Sequence, residues 1–206
     1  VSIRIDARTG EAVATAPSER SLPDAAAFAR SRADWLRGHQ ARRPETTSIR
    51  PGGTVTFEGH AIPLEQTPGA GAARFVDGVV RSGGEGAAYA RRVTNWLQRE
   101  ARSRLDARTR AHAQALGVPP PKVGLGDPKG RWGSCSPGRG SIRYSWRLVM
   151  APAWVLDYVA AHEVAHLVHA NHGAEFWALT SRLYGRDPKL ARAWLRAHGA
   201  GLHAVG

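Results

Sequence analysis

The 206-residue chain contains one cysteine, Cys135, and one methionine, Met150. A lone cysteine excludes an intrachain disulfide and favours a reducing compartment. No sequence neighbour supplies a base for its thiol, so Cys135 is expected as a strand residue lining or adjoining a site rather than as a nucleophile. No apolar run approaches the roughly 18 residues of a membrane span. The opening Val1-Ser2-Ile3-Arg4-Ile5 lacks the pattern of a signal peptide, so a cytoplasmic, membrane-free protein is expected. There is no internal repeat, no tract of low complexity and no exposed heptad seam, which makes a monomer the default.

Acidic residues are also scarce: 17 stand against 29 basic ones, for a net charge of +12. Such a surplus suits nucleic acid, anionic membranes or acidic partners, and equally an Arg-rich genome composition. The arginines are scattered and form no block. Their densest set is Arg91, Arg92, Arg99, Arg102, Arg104, Arg108 and Arg110, on one predicted helix, where a solvated face is expected.

Periodicity and turn residues give an α+β outline. Residues 1–5 and 13–16 read as a hairpin turning at Thr9-Gly10. Asp24 can cap a helix running to about Arg43, before Pro44, with Phe28, Trp35 and Leu36 as its apolar side. Short strands are predicted at 54–58, 61–64 and 74–80. Ser82-Gly83-Gly84-Glu85-Gly86 reads as a linker, dividing an amino-terminal β-rich lobe (1–84) from a second domain (85–206). A long helix over 87–116 should bury Val93, Trp96, Leu97, Leu105 and Leu116 and end at Gly117. The segment 122–150 reads as sheet, with Val123-Gly124-Leu125 pairing to a neighbour. A hairpin turn at Pro137-Gly138-Arg139-Gly140 should join strands 132–136 and 141–150. Pro152 opens a further helix, and two more follow at about 174–184 and 188–198. His198 and His203 lack partner spacing and are expected in solvent.

His162-Glu163-Val164-Ala165-His166 falls on the helix opened by Pro152. Residues i and i+4 stack on one helical face, so His162 and His166 can converge on one metal ion while Glu163 handles a water. The apolar flanks Val159, Ala160, Ala161, Leu167 and Val168 mark a buried helix rather than a solvated His-Glu-His face. A catalytic zinc takes three protein ligands and keeps one position open. Three residues compete for third place. His169 shares the face but lies about 10 Å further along the axis, which suits a group behind the ligands or on the surface. Glu175 could serve if the next helix folded back. His172 is best placed, because Asn171 and Gly173 tolerate left-handed backbone and mark the end of the motif helix.

Arg131-Trp132-Gly133-Ser134-Cys135-Ser136, Trp146-Arg147-Leu148-Val149-Met150-Ala151-Pro152, Tyr158-Val159, the HEVAH motif, Asn171-His172 and Phe176-Trp177 together resemble the YgjP-like metallopeptidase family, related to the SprT and WLM zinc proteases. The dense likeness covers about the last eighty residues. A looser one extends through the early strands, the Trp35 helix and Phe57-Glu58-Gly59. The resemblance implies a zincin-like, gluzincin-type fold in which a small mixed sheet packs on the motif helix. It implies His162, His166 and His172 as zinc ligands and Glu163 as catalytic base. Relatives tend to carry Asn where this chain has Tyr144 or Ser145.

The expected activity is therefore zinc-dependent hydrolysis of peptide bonds in a protein or peptide substrate. Tyr144, Arg143, Arg131, His169 and Tyr184 are candidates for stabilising the oxyanion, and residues 141–145 for a strand edge that takes up substrate. Phe176 and Trp177 are expected as core packing. Two other classes compete. One is a zinc hydrolase of a nucleotide phosphoanhydride, which the arginines suit but for which no glycine-rich phosphate loop is present. The other is a nucleic-acid-binding module with a structural metal. A DNA-associated protease of the SprT/WLM type would combine charge and chemistry.

Overall fold

The computed structural model describes residues 1–5, 11–41 and 47–206, and the chain divides into two compact units, 1–46 and 47–206. In the first unit, β1 (Ser2–Ile5) pairs antiparallel with β2 (Ala12–Thr15), as the hairpin pattern predicted. The Thr9-Gly10 turn and the helix end at Arg43-Pro44 lie outside the described residues. The helix expected from Asp24 is two helices, α1 (Leu22–Ser31) and α2 (Ala33–Ala41). At the break, the Ser31 hydroxyl donates to the Phe28 carbonyl at 2.8 Å, a local bond that competes with the helical ladder. Ser21, not Asp24, stands at the start of α1. Phe28 and Trp35, expected on an apolar side, are exposed, whereas Leu36 is buried.

The second unit opens with a four-stranded sheet. Its strands are β3 (Thr54–Phe57), β4 (His60–Thr67), β5 (Arg74–Val76) and β6 (Val79–Gly83), in the order β3-β4-β6-β5. β4 and β6 run parallel, and the other two pairings are antiparallel. The single strand expected over 74–80 is a hairpin, because Asp77 and Gly78 both adopt positive φ (51° and 80°) and turn the chain. Glu58 and Gly59 do the same between β3 and β4. There the Glu58 and Gly59 amides donate to the Val149 and Met150 carbonyls at 2.8 and 3.0 Å, docking this turn where the motif helix begins.

β6 leads directly into α3 (Gly86–Leu116), so the stretch expected to divide two lobes lies inside the second unit. At 31 residues, α3 is about 46 Å long, and Gly117 ends it with φ 78°. Its buried face carries Tyr89, Val93, Trp96, Leu97, Ala101 and Leu105; Leu116 is only partly buried. The arginines expected as a solvated face are largely tethers. Arg92, Arg99 and Arg102 donate to the carbonyls of Gly83, Ala73 and Val123 at 3.2, 3.0 and 3.0 Å. Arg104 bridges Glu58 at 2.5 Å and Glu100, with its guanidinium over the Phe57 ring.

A three-stranded sheet follows: β7 (Lys122–Gly126), β8 (Gly133–Ser136) and β9 (Ser141–Ser145), ordered β7-β9-β8. β9 pairs parallel with β7 and antiparallel with β8, so residues 141–145 form the interior strand and not an edge. The strand expected to reach Met150 stops at Ser145, and Trp146–Met150 form a 3-10 turn buried throughout. Within it the buried Arg147 donates to both Asp127 oxygens (2.6 and 3.1 Å) and to the Leu202 and Val205 carbonyls (2.9 and 2.7 Å). Helices α4 (Ala153–Ala165), α5 (Ala174–Tyr184) and α6 (Pro188–His203) complete an α+β unit. Asp187 caps α6 by accepting from the Lys189 amide at 2.9 Å. α6 runs five residues beyond the expected end, and His203, expected in solvent, is partly buried, its ring 4.9 Å from Trp132. Among the described residues, no helix is long and apolar enough to cross a membrane.

Candidate metal centre and its cavity

α4 is apolar nearly all round, as a buried helix must be, and it packs on α3, α5 and β8. It ends at Ala165, with His166 as its cap, well before the Asn171-His172-Gly173 segment expected to stop it. The reason lies in the site itself. The Nδ1 of His166 is 2.9 Å from the His169 carbonyl, so the chain curls under the ring instead of continuing the helix. A carbonyl only accepts, so Nδ1 carries the proton and Nε2 keeps its lone pair. His169 acts here through its backbone, while its ring lies 3.9 Å from the exposed Glu175 carboxylate. The two rivals for third ligand thus face each other.

The turn brings His172 back over α4. Its Nε2 stands 3.2 Å from the Nε2 of His162, and one nitrogen from each of His162, His166 and His172 lies within 4.8 Å of the others. Phe176, on the first turns of α5, is fully buried beneath them, its centroid 4.9, 4.5 and 4.6 Å from the three rings. It was expected as core, and its burial also fixes the separation of the imidazoles. The Tyr158 hydroxyl lies 3.4 Å from the Nδ1 of His162. Burial first, then the neighbouring rings of His166 and His172, push the His162 pKa down to about 3. The imidazole is therefore neutral at neutral pH, with a lone pair free for a cation. Such a cluster of imidazole nitrogen donors suits zinc and other divalent transition ions.

Glu163 points away from the imidazole cluster's floor toward β8. It is buried, and among the described residues no side-chain hydrogen bond or ion pair engages its carboxylate. Burial raises its pKa to about 7, a shift that the Arg131 charge partly offsets. Gly133 makes room for it: a Cβ there would sit 2.5 Å from Oε1 of Glu163. Cys135, two residues on in β8, has its thiol pushed up to about 11 by burial and by the Glu163 charge, which favours the protonated thiol over the thiolate.

A cavity of about 370 Å³ opens beside His162 and Glu163, walled by Arg131, Trp132 and Gly133 on one side and by Arg192, Leu195 and Arg196 of α6 on the other. Of the five candidate oxyanion donors, only Arg131 lines it. Tyr144 is buried, its hydroxyl 2.9 Å from Thr109. Arg143 packs against Gly126 on β7. Tyr184 is buried, with its ring edge-on to Tyr158. Arg192 and Arg196 were not anticipated. They lie some thirty residues beyond the motif in sequence, on a helix with no local mark of function, and only the folding of α6 over α4 brings them to the cavity.

No curated protein and no solved structure matches the chain. The profile of the YgjP-like metallopeptidase domain does, over residues 1–198, taking in the amino-terminal half as well as the motif region. With the match covering nearly all of its length, the chain belongs to the YgjP-like family of metallopeptidase domains, metal-dependent hydrolases of peptide bonds.

Proposed function

We propose that this chain is a zinc-dependent peptidase in which His162, His166 and His172 hold the ion and Glu163 is the general base. One observation carries the reading: three imidazole nitrogens within 4.8 Å of one another, beside a buried carboxylate next to His162 on α4. Zn–N bonds of about 2.0–2.1 Å in tetrahedral geometry separate ligand nitrogens by about 3.4 Å. The 3.2 Å between His162 and His172 is close to that spacing. Three protein ligands leave a fourth position open, the mark of a catalytic rather than a structural site. Zinc supplies a Lewis acid for the scissile carbonyl and acidifies water.

The protein's own groups do the rest. Glu163 takes the proton of the attacking water on a carboxylate oxygen and delivers it to the leaving amine. The His169 carbonyl and the Tyr158 hydroxyl orient the imidazoles of His166 and His162. Arg131 donates to the developing oxyanion. The substrate backbone extends β8, which is the edge strand next to Glu163, in place of the interior β9. In this reading residues 85–206 carry the chemistry in a zincin-like arrangement, with the three-stranded sheet meeting α4 through β8.

The test is Glu163→Gln. Turnover of an unfolded protein substrate should fall about 10³-fold, in the range for loss of a general base. Bound zinc should stay at one per chain, and His172→Ala should lower zinc affinity. Full activity in a zinc-loaded Glu163→Gln protein would falsify the role of the base. Absence of any hydrolysis by the zinc-loaded parent would remove the peptidase reading altogether.

A further inference from the structure

We propose that the cavity beside Glu163 selects peptides bearing a carboxylate next to the scissile bond, read by Arg192 and Arg196 together with Arg131. The proposal rests on the peptidase reading and names the substrate class for it. Arg192 and Arg196 stand four residues apart on α6, so both side chains leave the same helical face, and both line the cavity that His162 and Glu163 bound. The Arg192 guanidinium lies 4.7 Å over the Trp177 ring. Trp177 in turn sits 5.7 Å from His172 and 5.9 Å from His162, which holds that positive charge beside the imidazole cluster.

These three arginines meet at one cavity without a counter-charge of their own. Arg81, Arg104, Arg110 and Arg147 each pair with a carboxylate. Among the described residues, Arg131, Arg192 and Arg196 make no ion pair, and the only acid lining the cavity is the buried Glu163. A cationic group entering there meets repulsion from three guanidiniums. A carboxylate receives their forked donors, the geometry in which arginine binds most strongly. Phosphate shares that charge, but the surroundings favour a peptide. Gly133 brings the start of edge strand β8 to the cavity wall, offering backbone pairing to an extended chain, and Trp132, Val159 and Leu195 supply apolar walls around the guanidiniums.

The experiment measures binding of fluorescent peptides to the zinc-loaded full-length Glu163→Gln protein, and cleavage of the same peptides by the parent chain. The matched set carries Glu or Gln beside the scissile bond, in amidated and free-acid forms, with a nucleoside triphosphate as competitor. Glu should bind about tenfold more tightly than Gln, as for a charged hydrogen bond gained, and the advantage should shrink with salt. A preference for the amidated Glu peptide assigns the carboxylate to a side chain, and a preference for free acids over amides assigns it to the chain terminus. Either supports the proposal, provided the ratio collapses toward one in Arg192→Gln with Arg196→Gln. Equal affinity for all four peptides, Glu or Gln and amide or acid alike, overturns it, even with the parent cleaving them all. So does arginine-dependent binding of the triphosphate without any preference among the peptides. The Glu-to-Gln ratio in the unsubstituted background needs no arginine variant to fold, and the binding arm stands if no peptide is cleaved.

Discussion

At the scale of single residues, the site is governed by two small clearances. One is Gly133, whose missing side chain leaves room for the Glu163 carboxylate: a Cβ would fall 2.5 Å from Oε1 and 2.6 Å from Cγ. The contact is with a buried side chain whose Cγ is crowded along with its oxygen, so the carboxylate must shift from its place at the cavity wall. Gly133→Ala should therefore lower kcat about a hundredfold, the cost of displacing a reacting group by about 1 Å. It should also cost about 1–3 kcal/mol of stability through overpacking. Zinc content should stay unchanged, because the three atoms nearest a Cβ at Gly133 all belong to Glu163 and none to an imidazole. Parallel measurement of turnover and bound metal checks this, and unaltered kcat would show that Glu163 does not depend on that clearance. The second clearance is at Gly199 on α6, where a Cβ would meet the Trp132 ring at 2.8 Å. It lets the loop that carries Arg131 lie close to the helix that carries Arg192 and Arg196.

At the scale of elements, what could be read in advance was what local chemistry determines. The i, i+4 spacing of His162 and His166 predicts a helix, and α4 is there. Its end was not legible: Leu167 and Val168 continue the apolar pattern, and the stop depends on the His166 ring reaching the His169 carbonyl. The ring of His172 does come back to the other two, but not for the reason the sequence offered: neither Asn171 nor Gly173 adopts left-handed backbone, and the chain leaves the helix earlier, at His166. The Asp77-Gly78 turn signal was present but lay inside an apolar run that reads as one strand. Wholly nonlocal features left no trace. The interior place of β9 follows from its parallel pairing with β7, which no short pattern announces. Arg147 belongs to the same group: a buried cation holding Asp127 from the loop after β7, the Leu202 carbonyl near the end of α6 and the Val205 carbonyl just beyond it. Without it the carboxylate and two carbonyls lose a shared donor, and α6 loses its anchor. Arg147→Met should cost about 3 kcal/mol, the lower end for breaking a buried pair because Asp127 is partly exposed. Denaturant unfolding reads the difference, and a shift below about 1 kcal/mol would place the anchoring of α6 elsewhere.

At the scale of the whole molecule, the net charge of +12 includes arginines of two contrasting kinds. Most of those of α3, with Arg147 of the 3-10 turn, hold sheets and helices together, while those at the cavity are left to meet a ligand. The structural group makes stability depend on pH through its acidic partners, and Asp127 is the clearest case. Burial alone would raise its pKa, but hydrogen bonds from Arg147 and Lys129 hold it at about 2, against an ordinary 3.8. A carboxyl depressed in the folded state stabilises the fold above its unfolded pKa and loses that contribution as pH falls through the folded value. The window is therefore about pH 4 down to 2, with no change expected from this group between pH 5 and 8. Self-repulsion among the arginines also grows as other carboxylates are neutralised, so the parent protein loses stability on acidification for two reasons. Asp127→Asn separates them: its amide cannot titrate, while the rest of the charge is the same. The variant should be less stable than the parent at pH 7, and its melting temperature should fall less steeply between pH 4 and 2, so that the two curves converge at the acid end. Parallel curves would show that the Arg147–Asp127 pair contributes nothing to the acid limb and that charge repulsion alone drives it.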